Sequence, residues 1–189
     1  MPDGNYMSDF SLRCDRVGLR KFKPDDLDDF ARINADPKVM EYFPGPMTRE
    51  ACEAWMMRIN DAIDDVGFSF WAAELLATGE LIGCLGLSHA NFEAPFNPSV
   101  EIGWRFHQKF WGQGLATEAA TRCLQFAFAE AELAEIYSFT PKINQRSWRV
   151  MQRIGMTQIG EFIHPKVDAD HRLQPHVYYK ITAAEFANR

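Results

Sequence analysis

The stretch EIGWRFHQKFWGQGLATEA, residues 101–119, joins a strand pattern to a helix pattern through a loop with two glycines. Residues 99–106 form a β-like run, Gly112 and Gly114 lie in the loop, and an apolar stripe predicts a helix over 114–130. The first turn of a helix has unpaired N–H groups and a partial positive charge, and glycines let the backbone approach an anion closely. The stretch is therefore typical of a phosphate-binding site.

Two common phosphate loops are excluded by the residues present. A Walker loop needs GxxxxGK followed by Ser or Thr, and the chain has no such sequence. A dinucleotide-binding loop needs a third glycine where Thr117 stands. Two glycines alone are equally compatible with a tight turn after a strand, so the loop by itself leaves both interpretations open.

The patterns around this stretch predict a single domain of strands and helices. Strands are predicted over 17–22, 68–76, 81–87, 99–106, 135–140, 157–162 and 176–181, and helices over 25–35, 48–65, 114–130 and 144–154, with a short terminal turn. This order indicates an α/β (α+β) domain with one mixed sheet, because dinucleotide-binding folds alternate strands and helices from the start. We expect residues 1–189 to form one domain, with 1–11 as a flexible N-terminal segment.

Composition and charge exclude several classes of protein. The chain has 189 residues, 47% of them hydrophobic, which allows a sizeable core without disulfide or metal staples. Its formal net charge of −6 argues against a sequence-independent nucleic-acid binder. The four cysteines form no CxxC pair, and His171 and His176 have no acidic or thiol partner at ligand spacing, so no metal site is predicted. We expect free thiols, a cytoplasmic location and no membrane span.

Three segments together resemble one family. Residues 109–116, KFWGQGLA, resemble the Q/R-x-x-G-x-G/A pyrophosphate loop of the GNAT superfamily of N-acetyltransferases, and residues 141–156, PKINQRSWRVMQRIGM, are similar to its N-x-x-S/A…G-F segment. Residues 101–104, EIGW, and 176–180, HVYYK, resemble its RimJ/RimL-type branch, which includes ribosomal-protein N-terminal alanine acetyltransferases. The resemblance covers residues 17–186. It implies the GNAT fold, a single mixed, mostly antiparallel twisted sheet flanked by helices.

The resemblance implies acetyl-CoA as the co-substrate and assigns residues to it. Asn144 would hydrogen-bond the pantetheine arm, and Ser147 would lie near the thioester sulfur. The backbone of Trp104, Arg105 and Phe106 would pair with pantetheine as an added strand. Backbone N–H groups from the loop and the start of the helix would hold the pyrophosphate: those of Trp111, Gly112, Gln113, Gly114, Leu115 and Ala116.

Two residues depart from the family pattern. Lys109 stands where Gln or Arg is usual, and a cation there can still assist phosphate binding. Met151 stands where many members carry a tyrosine that acts as an acid. Protonation of the leaving thiolate would then fall to Ser147 or to a water molecule, unless Ser147 is only a hydroxyl on the helix surface.

Acyl transfer to an amine needs the neutral amine and a group that takes its proton. An α-amino group has a pKa of about 8 and a lysine side chain about 10.4, so the first loses its proton more easily near neutrality. Glu101 is our candidate base, and the N–H of Phe106 could stabilise the oxyanion. The other interpretation of Glu101 is an ion pair or a hydrogen-bonding group at the strand end.

The function predicted on this basis is transfer of the acetyl group of acetyl-CoA to a primary amine. A protein or peptide N-terminus is favoured as acceptor; the alternatives are a small amine, either a polyamine or an antibiotic, and a non-catalytic acyl-CoA sensor. The walls of the acceptor site are expected from residues 36–58, 91–97 and 165–174. A homodimer is expected, because twofold dimers are the commonest assembly.

Overall fold

The computed structural model of the chain describes residues 10–189, so the predicted flexible segment lies outside the described residues except for its last two positions. The strands are β1 (Leu12–Arg13), β2 (Val17–Arg20), β3 (Phe70–Leu75), β4 (Glu80–His89), β5 (Val100–Phe106), β6 (Glu135–Pro141), β7 (Thr157–Ile163) and β8 (Pro175–Thr182). The helices are α1 (Leu27–Ala35), α2 (Arg49–Val66), α3 (Leu115–Ala129), α4 (Gln145–Arg153) and α5 (Ala183–Ala187).

The strands form one sheet in the order β1-β2-β3-β4-β5-β6-β8-β7. Neighbouring strands are antiparallel except β5 and β6, which run parallel. The helix α3 lies between these two strands in the sequence and supplies the long crossover connection that a parallel pair requires. The predicted mixed, mostly antiparallel sheet flanked by helices is confirmed.

Helices cover both faces of the sheet, and each face carries its own apolar core. On one face, α3 buries a stripe that includes Leu115 and Cys123 against strand residues such as Leu85. On the other face, α1 and α2 pack around Phe30, which shares a buried cluster with Cys84 of β4. The sheet therefore separates an α3 face from an α1/α2 face, and side chains of one strand alternate between the two.

Most helix limits agree with the sequence patterns because capping residues set them. Thr48 caps α2, its Oγ1 accepting a hydrogen bond from the N–H of Ala51 at 3.2 Å. Gly67 ends that helix with a φ of 85°, a conformation that favours glycine. The predicted helix over 25–35 begins instead with a 3₁₀ turn, Pro24–Asp26, before α1.

Two elements at the ends of the domain are not predicted by the sequence patterns. The strand β1 has only two residues, too few to show an alternating pattern. The helix α5 replaces the predicted terminal turn. Thr182 accepts a hydrogen bond from the N–H of Glu185 at 3.2 Å, and the Glu185 carboxylate accepts one from the N–H of Thr182 at 2.8 Å. This reciprocal capping box stabilises a helix of only five residues.

The four cysteines are free thiols, as predicted. Three of them are buried and Cys14 is partly exposed. Burial raises the pKa of Cys14 and of Cys84 to about 11 and also raises the pKa of Cys52 and of Cys123. The thiols therefore stay protonated at neutral pH and are poor nucleophiles.

A buried ionic network ties the start of α1 to the sheet. Arg20 of β2 donates to Asp26 through Nη1 at 2.7 Å and through Nη2 at 2.9 Å, and its Nε donates to Glu74 of β3 at 2.7 Å. The side chains of Arg20 and Asp26 are only 5% and 8% exposed. These hydrogen bonds raise the pKa of Arg20 despite its burial, so the guanidinium stays charged. The network fixes the α1/α2 layer over β2 and β3.

Asp26→Ala should lower the free energy of unfolding by about 3 kcal/mol, because it leaves a buried guanidinium with only one of its two carboxylate partners. Urea unfolding followed by circular dichroism measures the change. Asp64→Ala is the matched control: Asp64 pairs with Lys21, but its side chain is 65% exposed, so the expected loss is below about 1 kcal/mol. Equal losses in the two variants would contradict the role given to burial.

Candidate active site

The strands β5 and β6 part soon after they meet, and this opens a wedge in the sheet. Their register consists of one pair, Glu101 with Tyr137, and Ser138 adds a hydrogen bond from Oγ to the carbonyl of Ile102 at 2.9 Å. Beyond that point, within residues 10–189, β5 is paired only with β4. Since backbone groups alternate sides along a strand, the N–H and C=O of Trp104 and the N–H of Phe106 face the wedge, as the carbonyl of Ile102 does.

The glycine loop closes the wide end of this wedge and begins α3. Gly112 and Gly114 have φ values of 75° and 80°, a left-handed conformation that other residues adopt only with strain. Trp111 ties the loop to β5, its Nε1 donating to the carbonyl of Phe106 at 2.7 Å. The positive φ of both residues thus agrees with an anion-binding loop, and Gly114 also serves as the N-cap of α3.

A cleft of about 790 Å³ follows the wedge, and it brings together nearly all of the residues predicted from the sequence. Gln113 is the exception among the predicted residues: it does not line the cleft, and its Nε2 donates to the carbonyl of Lys109 at 2.9 Å. The predicted residues that line it are Glu101, Trp104, Arg105, Phe106, Trp111, Gly112, Gly114, Leu115, Ala116, Asn144 and Ser147. Lys109 itself pairs with Glu80 at 3.1 Å on the surface.

Asn144 and Ser147 form the N-terminal cap of α4. Asn144 Oδ1 accepts from the N–H of Ser147 at 3.3 Å, and its Nδ2 donates to Thr140 Oγ1 at 2.9 Å and to Ser147 Oγ at 3.0 Å. Both hydrogens of the Asn144 amide are therefore used within the protein. Ser147 Oγ accepts from this amide and retains its own proton, so it can act as a donor in the cleft.

Glu101 lies in the cleft without a committed partner. Among residues 10–189 its carboxyl group forms neither an ion pair nor a hydrogen bond. Burial raises the pKa of Glu101 to about 7, and the charge of Lys166 opposes this rise. A carboxyl group with a pKa near neutrality and no structural partner is suited to accept a proton. The role of Glu101 as the base stays a prediction, and no ion pair or hydrogen bond of its carboxyl group opposes it within residues 10–189.

Met151 fills the position of the missing tyrosine with an apolar side chain. It lies in the cleft wall, is only 1% exposed and belongs to the core on the α3 face. A thioether cannot donate a proton. The proton for a leaving thiolate must therefore come from another group, for which the sequence predicts Ser147 or a water molecule.

Three arginines of α4 line the cleft and were not predicted from the sequence. They are Arg146, Arg149 and Arg153, and the guanidinium carbon of Arg146 lies 4.4 Å from the centre of the Trp111 ring. Their spacing of three and four residues places them along one side of the helix, which was the signal available in the sequence. Cations beside a phosphate loop would neutralise the charges of coenzyme A.

The remaining walls agree in part with the predicted ranges. The chain between α1 and α2 contributes residues including Lys38, Tyr42 and Phe43, and the segment before β8 contributes Lys166 and Leu173. No residue of the predicted range 91–97 lines the cleft. That loop lies one layer behind.

Aromatic rings and two histidines connect this loop to the wall. The Phe92 ring is 5.1 Å from the Phe139 ring, and Phe139 does line the cleft. His164 and His176 also line the cleft, with ring centres 4.7 Å apart. Burial lowers the pKa of His164, and it lowers that of His176 to about 4. Both histidines are therefore neutral at pH 7.

Two other kinds of feature are absent from residues 10–189. No group of three or more His, Cys, Asp or Glu side chains could hold a metal ion there. No helix in that part of the chain is long and apolar enough to cross a membrane.

The comparisons with known proteins agree with this geometry. A family model described as the acetyltransferase (GNAT) domain matches residues 16–157. The protein YkkB of Bacillus subtilis is 33% identical over 147 residues, which are 77% of this chain and 84% of YkkB. The chain belongs to the GNAT family, and it is an acetyl-CoA-dependent acyltransferase.

Solved structures show the same fold. A GNAT-family acetyltransferase from Bacillus anthracis has a TM-score of 0.74 and 27% identity, with 92% of this chain and 98% of that chain covered. A spermidine N-acetyltransferase from Vibrio cholerae, in complex with CoA and spermine, has a TM-score of 0.73 and 19% identity, covering 92% and 99%. At that identity the second likeness shows the fold alone. The open edge of β5 and the glycine loop fit acetyl-CoA as co-substrate.

Gly114→Ala should weaken acetyl-CoA binding at least tenfold and lower the free energy of unfolding by about 1 kcal/mol, because alanine at a φ of 80° strains the loop. Calorimetry and urea unfolding measure the two effects. Gly45→Ala is the control, since a Cβ at Gly45 meets no atom within 4 Å and its φ is not positive. Unchanged binding in Gly114→Ala would contradict the phosphate role of the loop.

Proposed function

We propose that this acetyltransferase acetylates the primary amine of a protein or peptide N-terminus, as in the RimJ/RimL-type branch that residues 101–104 and 176–180 resemble. The observation that carries the proposal is the uncommitted carboxyl group of Glu101 in the cleft, on the strand whose backbone edge is open to the cofactor. The pKa of an α-amino group is about 8, close to the pKa of about 7 of the Glu101 carboxyl group. Proton transfer from such an amine to Glu101 is therefore easier than from a lysine side chain.

The reaction proceeds by direct attack, and the chain supplies three groups. Acetyl-CoA supplies the acetyl group. Glu101 takes a proton from the amine, directly or through water, as the nitrogen forms its bond to the acetyl carbon. The N–H of Phe106 stabilises the oxyanion of the tetrahedral intermediate. When the carbon–sulfur bond breaks, a water molecule, or Ser147 reprotonated by solvent, gives a proton to the thiolate. Glu101 returns the proton of the amine to solvent, and the amide product and CoA thiol are released.

The non-catalytic acyl-CoA sensor kept open in the sequence analysis is disfavoured by membership of the acetyltransferase family. The feature that suggested it is Met151, a buried thioether in place of the usual acid. The two functions predict different results with acetyl-CoA and a panel of peptides and amines. A transferase releases free CoA thiol only when an acceptor is present, and mass spectrometry finds the acceptor heavier by one acetyl group. Tight binding of acetyl-CoA with no turnover on any acceptor would support the sensor.

Glu101→Gln should lower kcat/KM for the acceptor by about 100-fold or more, because the amide cannot take the proton. In the unaltered enzyme kcat/KM should rise as the pH rises through about 7, since the carboxylate is the active form. This limb should vanish in Glu101→Gln, leaving the titration of the acceptor amine. Glu93→Gln, a change at an exposed residue of the loop behind the cleft, is the control. An unchanged pH profile in Glu101→Gln would remove Glu101 as the base.

The expected homodimer and the cytoplasmic location remain predictions. Size-exclusion chromatography with light scattering measures the first, and fractionation of cells that produce the protein measures the second.

A further inference from the structure

The cleft is lined by positive charge although the protein as a whole is acidic. The chain has a formal net charge of −6, yet among residues 10–189 Glu101 is the single acidic residue of the cleft wall. The lysines and arginines of that wall are Lys38, Arg105, Arg146, Arg149, Arg153 and Lys166. Such a distribution concentrates the field inside the cleft and attracts anions to it.

These cations also lack the carboxylate partners that cations elsewhere in the fold possess. Outside the cleft, Arg20, Arg122 and Lys142 are among the side chains paired with Asp or Glu. Within the described part of the chain, the six cations of the cleft wall form no ion pair with a carboxylate. Their charges are therefore available to a ligand.

Arg105 is the most constrained of these cations. Its Nη1 donates to Asn34 Oδ1 and to Met47 Sδ, the latter at 3.5 Å, and its guanidinium carbon lies 4.1 Å from the centre of the Phe43 ring. Its Nε is buried and has no hydrogen-bond partner among residues 10–189. Burial lowers the pKa of Arg105. An unpaired buried charge is unfavourable, and a bound anion would relieve it.

The six cations come from different parts of the cleft wall. Three are on α4, where the guanidinium carbon of Arg146 lies 4.4 Å from the ring centre of Trp111 in the glycine loop. The other three lie elsewhere in the wall: Lys38 follows α1, Lys166 precedes β8, and Arg105 is on β5. Arg105 and Glu101 are four residues apart on one strand and so point to the same face, about 13 Å apart along the backbone. That face carries α1 and α2, opposite α3.

We propose that the acceptor is a primary amine that also carries a carboxylate, and that Arg105 binds this carboxylate while Glu101 takes the proton from the amine. Lys38 and Lys166 assist by attracting the anion. This inference rests on the proposed transferase function and names its substrate class. The carboxylate could belong to an acidic peptide N-terminus or to a small amino acid, since both present the same chemistry to the guanidinium.

The same charges disfavour polycationic acceptors. A polyamine or an aminoglycoside needs several carboxylates. The described part of the chain offers only Glu101 in the cleft wall, and the proposed reaction requires that residue. Like charges facing each other across a binding site oppose binding. The antibiotic and polyamine alternatives are therefore less compatible with this cleft than an anionic acceptor.

The test compares acceptors that differ in one charge. The first pair is alanyl-glutamate and alanyl-glutamine, both with an amidated C-terminus, so that they differ only in the side-chain carboxylate. The second pair is free alanine and alaninamide. Spermidine is the cationic acceptor for comparison. With kcat/KM expressed per neutral amine, we expect the carboxylate member of at least one pair to exceed its amide by tenfold or more. The pair that shows the preference distinguishes a peptide from a small amino acid.

Arg105→Met should reduce this ratio to near one. The ratio is measured within one preparation, so a loss of folded protein does not alter it. Arg105→Lys should retain part of the preference, and Arg58→Met, at an exposed residue of α2 outside the cleft, should retain all of it. If Arg105→Met does not fold, Lys38→Met and Lys166→Met, both at exposed residues, should each lower the ratio.

Failure of this inference differs from failure of the transferase. Equal rates for acid and amide, or a preference for spermidine, would overturn the anionic acceptor and leave the transferase standing. If no acceptor reacts, the transferase fails, and calorimetry of the first pair with the CoA-saturated protein still tests the site. Tighter binding of the acid, lost in Arg105→Met, would support the carboxylate site, and equal binding would overturn it.

Discussion

The parting of β5 from β6 is the constraint on which the site depends. A sheet normally pairs every backbone group of an inner strand, but here the parallel pair holds at Glu101 and Tyr137 and then opens. The unpaired edge of β5 can accept an extended chain such as pantetheine by the same hydrogen bonds that a strand would form. The other parts of the site, the glycine loop, the cap of α4 and Glu101, are arranged around this opening.

The wedge is stable because other interactions hold its two sides. On one side, the indole N–H of Trp111 donates a hydrogen bond to the carbonyl of Phe106, so the last carbonyl of β5 has a partner within the protein. On the other side, Asn144 joins β6 to α4 through Thr140 and Ser147. Each side keeps its shape through contacts of its own, and the space between them is preorganised for a ligand.

The sequence predicts most of the fold, because its patterns are local. Periodicity identifies the long helices, and Thr48 and Gly67 show where α2 begins and ends. Of the site residues predicted from the sequence, eleven line one cleft in the structure, and Gln113 lies outside it. The opening of the sheet cannot be predicted in this way, because the alternation of residues along β5 is the same whether or not β6 stays paired with it. Likewise, the absence of a carboxylate beside Arg105 depends on residues far apart in the chain, Asn34, Phe43 and Met47, which no local pattern brings together.

Burial of the cysteines has a practical consequence for enzymology. A disulfide reagent that turns yellow on meeting a thiolate reports released CoA continuously, but it also reacts with any accessible thiolate of the enzyme itself. Three of the four sulfur atoms here are enclosed, and the fourth, that of Cys14, has a pKa raised to about 11. The native protein should therefore contribute a low, slowly drifting background, and turnover can be recorded without first blocking its side chains.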